Sequence, residues 1–170
     1  GAGWEPLCKM LEGELTEQEI LFGTEITQRV REMLDLLSSQ PKTLIHSDLR
    51  ADNLLFDREG KKVFIVDWQG TSKGPAGWDL AYFISQSLSV ETRRENETML
   101  LDHYVRSLKE NGKDLDPVEA LAGYADAMLY GLVIACSLPL ISDESEKRVK
   151  ELARVMTRRS FEAMKDHNKF

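Results

Sequence analysis

The sequence predicts an α+β fold, mostly α, in which a small β-ribbon carries polar loops near the front of a helical domain. Three observations point there. Apolar residues recur at helical spacing before residue 40 and again beyond residue 76. The β-like runs are short and confined to residues 43–66. Acid and amide residues gather in the loops at the ends of those runs, not along helix faces.

Taken in order, Thr16-Glu17-Gln18-Glu19 has the form of a capping box. Ile20, Ile26, Val30, Met33, Leu34 and Leu37 then mark the inner face of a helix that Ser38, Ser39 and Pro41 close. Thr43–His46, Leu54–Phe56 and Val63–Val66 read as strands, with Arg58-Glu59-Gly60-Lys61 as the turn between the last two. A helix is expected from about Gly77 to Ser87, and another from Val90 to Glu110 that stops at Asn111-Gly112. Asp116-Pro117 is an N-cap followed by Pro at the first helical position. That helix is expected to run unbroken through Leu121, Tyr124, Met128, Leu132 and Cys136 to Pro139. Ser142–Glu146 is expected to start a last helix, with Val149, Leu152, Val155, Met156 and Phe161 inward. The charges at 91–97 and 144–150 read as solvated helix faces.

Composition narrows the function. The 170 residues suffice for one domain with a real core, and residues 1–170 are read as that domain. A net charge of -7 argues against a binder that tracks nucleic-acid phosphates, because that affinity comes from Lys and Arg. It is compatible with a cationic substrate. Cys8 and Cys136 form no CxxC pattern, so a structural zinc site is not expected, and Cys136 reads as a small buried hydrophobe. Two such thiols fit a reducing, cytoplasmic location. No signal peptide is read at the start. The most apolar stretch, 127–141, is too short for a membrane span and contains Pro139. Neither nucleic acid nor membrane is expected as a partner.

The chemistry sits in the ribbon loops. Asp48 follows one strand, Asn53 lies five residues on, just before the next, and Asp67 stands past the end of the third. A hairpin brings strand starts and ends to one edge, so Asn53 and Asp67 could offer oxygens to one hard cation such as Mg²⁺. Asp48 beside them suits a base facing an attacking hydroxyl. Taken alone, an Asp and an Asn in a loop are ordinary turn residues. His46, Asp48 and Asn53 match the spacing of the H-R-D-x-x-x-x-N catalytic loop, with Asp67 in the place of its later metal-binding Asp.

The segment Leu44-Ile-His-Ser-Asp-Leu-Arg-Ala-Asp-Asn-Leu-Leu-Phe, then Ile65-Val-Asp-Trp-Gln, then Gly77-Trp-Asp-Leu-Ala-Tyr-Phe, resembles the aminoglycoside phosphotransferase and choline kinase-like superfamily. Gln69 after Asp67-Trp68 is closer to its ecdysteroid kinase-like branch. The resemblance implies the C-terminal lobe of a protein kinase-like fold and an ATP-dependent transfer of phosphate to a small-molecule hydroxyl. It implies Asp48 as the catalytic base and Asn53 and Asp67 as Mg²⁺ ligands at the ATP phosphates. Asp79 would brace the loop through backbone hydrogen bonds, and His46 would hold it. Arg50 either contacts the transferring phosphoryl group or sits in a salt bridge. Ser47 stands where the family commonly has Gly. Trp68 and Trp78 read as packing before substrate walls. Acceptor contacts are expected between Asp79 and Tyr130.

Only 45 residues precede His46, without a strand–Gly loop–strand pattern, so the lobe holding most of the nucleotide is read as absent from these residues. By itself the chain is then expected to bind ATP weakly or not at all. The alternatives are a catalytically silent kinase-like scaffold and a protein kinase, which Trp68-Gln69 and the lack of an Ala-Pro-Glu segment disfavour. A metal-dependent phosphohydrolase would want more carboxylate or His ligands.

Overall fold

The structure, a computed structural model, describes residues 2–141 and 147–169. The chain divides into two compact units, one of residues 1–36 and 128–170, the other of residues 37–127.

The first unit holds α1 (Trp4–Met10), most of α2 (Glu17–Ser39), α7 (Tyr130–Ile141) and α8 (Lys147–Asp166). The capping box forms: Glu19 N–H donates to Thr16 Oγ1 at 3.2 Å and Thr16 N–H to a Glu19 carboxylate oxygen at 2.9 Å. Of the expected inner face of α2, Ile26 is buried, but Ile20 and Leu34 are each 40% exposed. The helix α1 was not expected. Trp4, Leu7, Met10 and Leu11 bury its inner side, and their i, i+3, i+4 spacing is the signal that marks it. Trp4 packs edge-on against Phe161 and donates its Nε1–H to Thr24 Oγ1 at 3.0 Å.

On α8, Met156 and Phe161 are buried as expected, while Val149, Leu152 and Val155 are only half-buried. Ala153, Ser160 and Ala163 take the fully buried positions instead. α7 packs on both α1 and α8, and small residues let two helix backbones approach closely. The expected helix start at Ser142–Glu146 lies outside the described residues.

The second unit carries the strands. β1 (Thr43–Ile45) pairs antiparallel with β4 (Ser72–Gly74), and β2 (Leu54–Phe56) with β3 (Val63–Ile65). The expected single ribbon is therefore two separate pairs, and β4 was missed because Ser72-Lys73-Gly74 carries no β-forming residue. The β2–β3 turn is closed by Asp57, whose carboxylate accepts from Lys61 N–H at 2.7 Å, and by Gly60 at φ 67°.

α3 (Ala76–Ser87), α4 (Val90–Glu110), α5 (Pro117–Ala120) and α6 (Tyr124–Ala127) follow. α4 is capped by Ser89, which accepts from Thr92 N–H. Its charges are not all solvated. Arg93 is 2% exposed and pairs with Glu97 at 2.5 Å, and Glu97 also accepts from Tyr124 O–H at 3.0 Å. The unbroken helix expected after Pro117 is likewise corrected. The segment Pro117–Ile141 has the length and apolar composition of a membrane-crossing helix, yet it divides into α5, α6 and α7. Gly123 at φ 76° breaks it, and the Ala122 carbonyl turns aside to accept from Gly77 N–H at 3.2 Å.

Candidate functional site

Strand pairing creates the site's edge. β2 and β3 run antiparallel with Leu54 opposite Ile65, so the residue before β2 and the residues after β3 emerge together. There Val66 N–H donates to the Asn53 carbonyl at 3.0 Å. Asp67 comes next, in the left-handed region at φ 66° and ψ 50°, which Asp enters more readily than most residues. Its side chain is exposed and caps no helix.

His46 ties this edge to the loop after β1. The ring is 2% exposed. Asp48 N–H donates to its Nδ1 at 3.3 Å, so Nδ1 bears the lone pair and Nε2 the hydrogen, which goes to the Val66 carbonyl at 2.9 Å. Both nitrogens are thus engaged with backbone, and His46 acts as a strut. Trp68 packs on it with ring centroids 4.8 Å apart and anchors its own Nε1–H on the Ile65 carbonyl at 2.8 Å.

Asn53 reaches back across the loop. Its Nδ2 donates to the Asp48 carbonyl at 2.8 Å and to Asp48 Oδ2 at 3.2 Å. With the amide nitrogen committed to Asp48, Asn53 Oδ1 is left as an uncommitted acceptor.

Asp79, in the first turn of α3, accepts from His46 N–H at 2.6 Å and from Ser47 N–H at 2.9 Å. Just past these two N–H groups the chain turns at Ser47, which lies at φ 71°. That is backbone space that glycine enters freely. The Ser47 hydroxyl meets the Ser72 hydroxyl at 2.8 Å.

Arg50 pairs with Asp52. Burial works against its charge, but Asp52, with Tyr82 and Asp48 adding, more than offsets this and holds the guanidinium above its ordinary range.

The structure thus brings His46, Asp48, Asn53 and Asp79 into one bonded knot, with Asp67 adjoining it through Val66 and Arg50 alongside. Two contacts carried no sequence signal. Ser87 Oγ accepts from Ala51 N–H at 2.9 Å. Tyr104 lies close enough to Asp79 that, after burial, this carboxylate raises the phenol's pKa.

Asn53 Oδ1 and the Asp67 carboxylate are hard oxygens of the kind Mg²⁺ takes together with phosphate oxygens and water, so the donor set fits that ion. Among the described residues no group of three or more His, Cys, Asp or Glu is arranged to hold a metal.

A sequence model of the ecdysteroid kinase-like family matches residues 8–116. An uncharacterized kinase-like protein of Caenorhabditis elegans is 34% identical over 113 residues, which is 64% of this chain and 29% of that protein. A 4-hydroxytryptamine kinase of Psilocybe cubensis is 26% identical over 105 residues, 56% of this chain and 29% of its own length. A 4-hydroxytryptamine kinase of Psilocybe cyanescens is 28% identical over 102 residues, 55% of this chain and 28% of its own. The chain spans less than a third of the length of these relatives. The family match takes in more than half of the chain, including the knot around His46, and the chain belongs to the ecdysteroid kinase-like family.

Proposed function

We propose that this chain is the catalytic part of a kinase that uses Mg²⁺ and ATP to phosphorylate a hydroxyl of a small molecule, working with a nucleotide-holding lobe outside these 170 residues. The observation that carries the reading is the bonded knot that links Asp48 to Asn53 and, through His46, to Val66, the residue before Asp67. Family membership supports it.

Asp48 orients the acceptor hydroxyl and takes its proton, its Oδ2 steadied by the Asn53 amide. Asn53 Oδ1 and Asp67 hold the metal. ATP supplies the phosphoryl group and Mg²⁺ the positive charge that stabilises its transfer. Asp79 and His46 fix the loop backbone, so little reorganisation is left to the reaction. Arg50 reaches a phosphoryl group only by sharing or leaving Asp52.

The two fungal relatives are named for a hydroxylated amine, which supports a small hydroxyl-bearing acceptor. The outward hairpin, with Leu55, Phe56, Val63 and Phe64 each more than half exposed, supports a covering lobe. The same hairpin favours a second reading, a kinase-like module that docks a partner without turnover.

Calorimetric titration of ATP, with and without Mg²⁺, into the chain and into Asp67→Ala tests the metal site. The expected result is weak, Mg²⁺-dependent binding that Asp67→Ala abolishes. Binding indifferent to both changes overturns the assignment. With the covering lobe supplied, Asp48→Asn is expected to lower kcat by about 10²–10⁴-fold while ATP affinity persists. Full turnover in that variant removes Asp48 as the base, and no turnover in the unmodified protein favours the docking module.

A further inference from the structure

We propose that Ser87 is a positioning residue, and that α3 grips the catalytic loop at two points. This rests on the kinase reading above. Asp79, in the first turn of α3, holds the start of the loop through the N–H groups of His46 and Ser47. Ser87, the last residue of the same helix, holds its far end by accepting from Ala51 N–H at 2.9 Å. Eight residues of α-helix rise about 12 Å, so the two grips are set apart by a rigid length. Asp48 and Arg50 lie between them, and Asn53 just beyond.

The second grip acts on Asn53. Ala51 opens the single 3-10 turn Ala51–Asn53, and the first N–H of such a turn has no partner within it. Ser87 supplies that partner. Asn53 N–H closes the turn on the Arg50 carbonyl at 2.9 Å, and its side chain donates to Asp48. The position of Asn53, and the aim of its Oδ1, therefore follow from where Ala51 is pinned.

Ala51 is exposed, so water can solvate its N–H when the serine hydroxyl is gone. Little stability depends on the bond. What it adds is register, with the turn fixed to the helix that also carries Asp79. Ser87 touches none of the reacting groups and acts only through Ala51.

The test follows the loop in the full chain by amide exchange and by the side-chain amide resonances of Asn53, in Ser87→Ala and Ser87→Thr. In Ser87→Ala, exchange at Ala51–Asn53 is expected to speed up by about tenfold, on the scale of one lost hydrogen bond. The Asn53 side-chain amide should move toward its free position, with His46 and Ser47 still protected and the melting temperature unchanged. Ser87→Thr keeps the hydroxyl and should restore both signals. An unmoved Asn53 side chain in Ser87→Ala overturns the proposal. So does a loss of protection that spreads to His46 and Ser47, which marks a merely structural role, and so does failure of the threonine variant to restore. Broadening of Asn53 and Asp67 signals by added Mn²⁺ is read separately. Its absence counts against the metal site, while the Ser87 signals still decide the grip.

Discussion

Ser47 bears the conformational cost of the loop. At φ 71° it occupies space that costs a non-glycine residue roughly 1 kcal/mol or more. Ser47 N–H is itself one of the two that bond Asp79, so the strain is local to the site. Ser47→Gly should relieve it, less the exposed hydroxyl contact with Ser72 and the extra freedom glycine has when unfolded. We expect a net gain of about 0.5 kcal/mol, or one to two degrees in melting temperature for a chain of this length. A lower melting temperature would show that the Ser47–Ser72 contact outweighs the strain. The motif offsets singled out His46, Asp48, Asn53 and Asp79, which the structure joins by hydrogen bonds. Ser87 was not legible, since a serine at a helix end looks the same whether or not its hydroxyl reaches a loop 36 residues away.

At the element scale, α3 connects the loop to the helices around it. Gly77 lies in its first turn, where a Cβ would come within 2.3 Å of Tyr124 N and 2.6 Å of the Ala122 carbonyl. These are backbone atoms and cannot swing aside. Gly77→Ala should therefore force α3 from α6, costing about 1–3 kcal/mol and loosening Asp79's hold on His46 and Ser47. Thermal melting with amide exchange at those two residues checks it; unchanged protection would mean that α3 can shift without the loop. The same contact explains why the expected helix after Pro117 breaks. The apolar period continues through Leu121 and Tyr124, but Gly123 at φ 76° and the engaged Ala122 carbonyl end the hydrogen-bond ladder. Propensity favoured continuation, and a tertiary contact 45 residues away in sequence overrode it.

For the molecule as a whole, pH dependence should enter through the unit built of residues 1–36 and 128–170. The hydrogen bond from Arg154 holds the Glu14 carboxyl below its usual range, with the charges of Arg154 and Lys150 adding. At Glu19 burial pulls upward, but bonds from Thr16 and Lys165 outweigh it and the pKa is again lowered. The unfolded chain takes up these protons near pH 4.3, above the folded values, so the stability is complete above roughly pH 4.3 and lost as pH falls through the folded pKa values. At the other limit, burial pushes the Cys136 thiol up to about 11. Its contribution is complete below the ordinary thiol value and lost as pH rises toward 11. Melting temperature should accordingly form a plateau that declines on both sides. The acid decline should shrink in high salt, because both ion pairs are partly solvated. A salt-independent acid decline would assign it to other groups.

By itself the sequence determined the mostly helical class, the ends of α4, the capping box of α2, the β2–β3 hairpin and the family to which the chain belongs. Periodicity, capping and motif spacing are local, and local patterns express how each residue interacts with its immediate neighbours. Tertiary structure alone decided that β1 pairs with β4, that Glu97 accepts from Tyr124, and that His46 bridges Asp48 to Val66. It also decided that α3 meets the loop twice. Each of these depends on which distant group fills a hydrogen-bonding or packing vacancy, and residue order does not encode that partner within any short window.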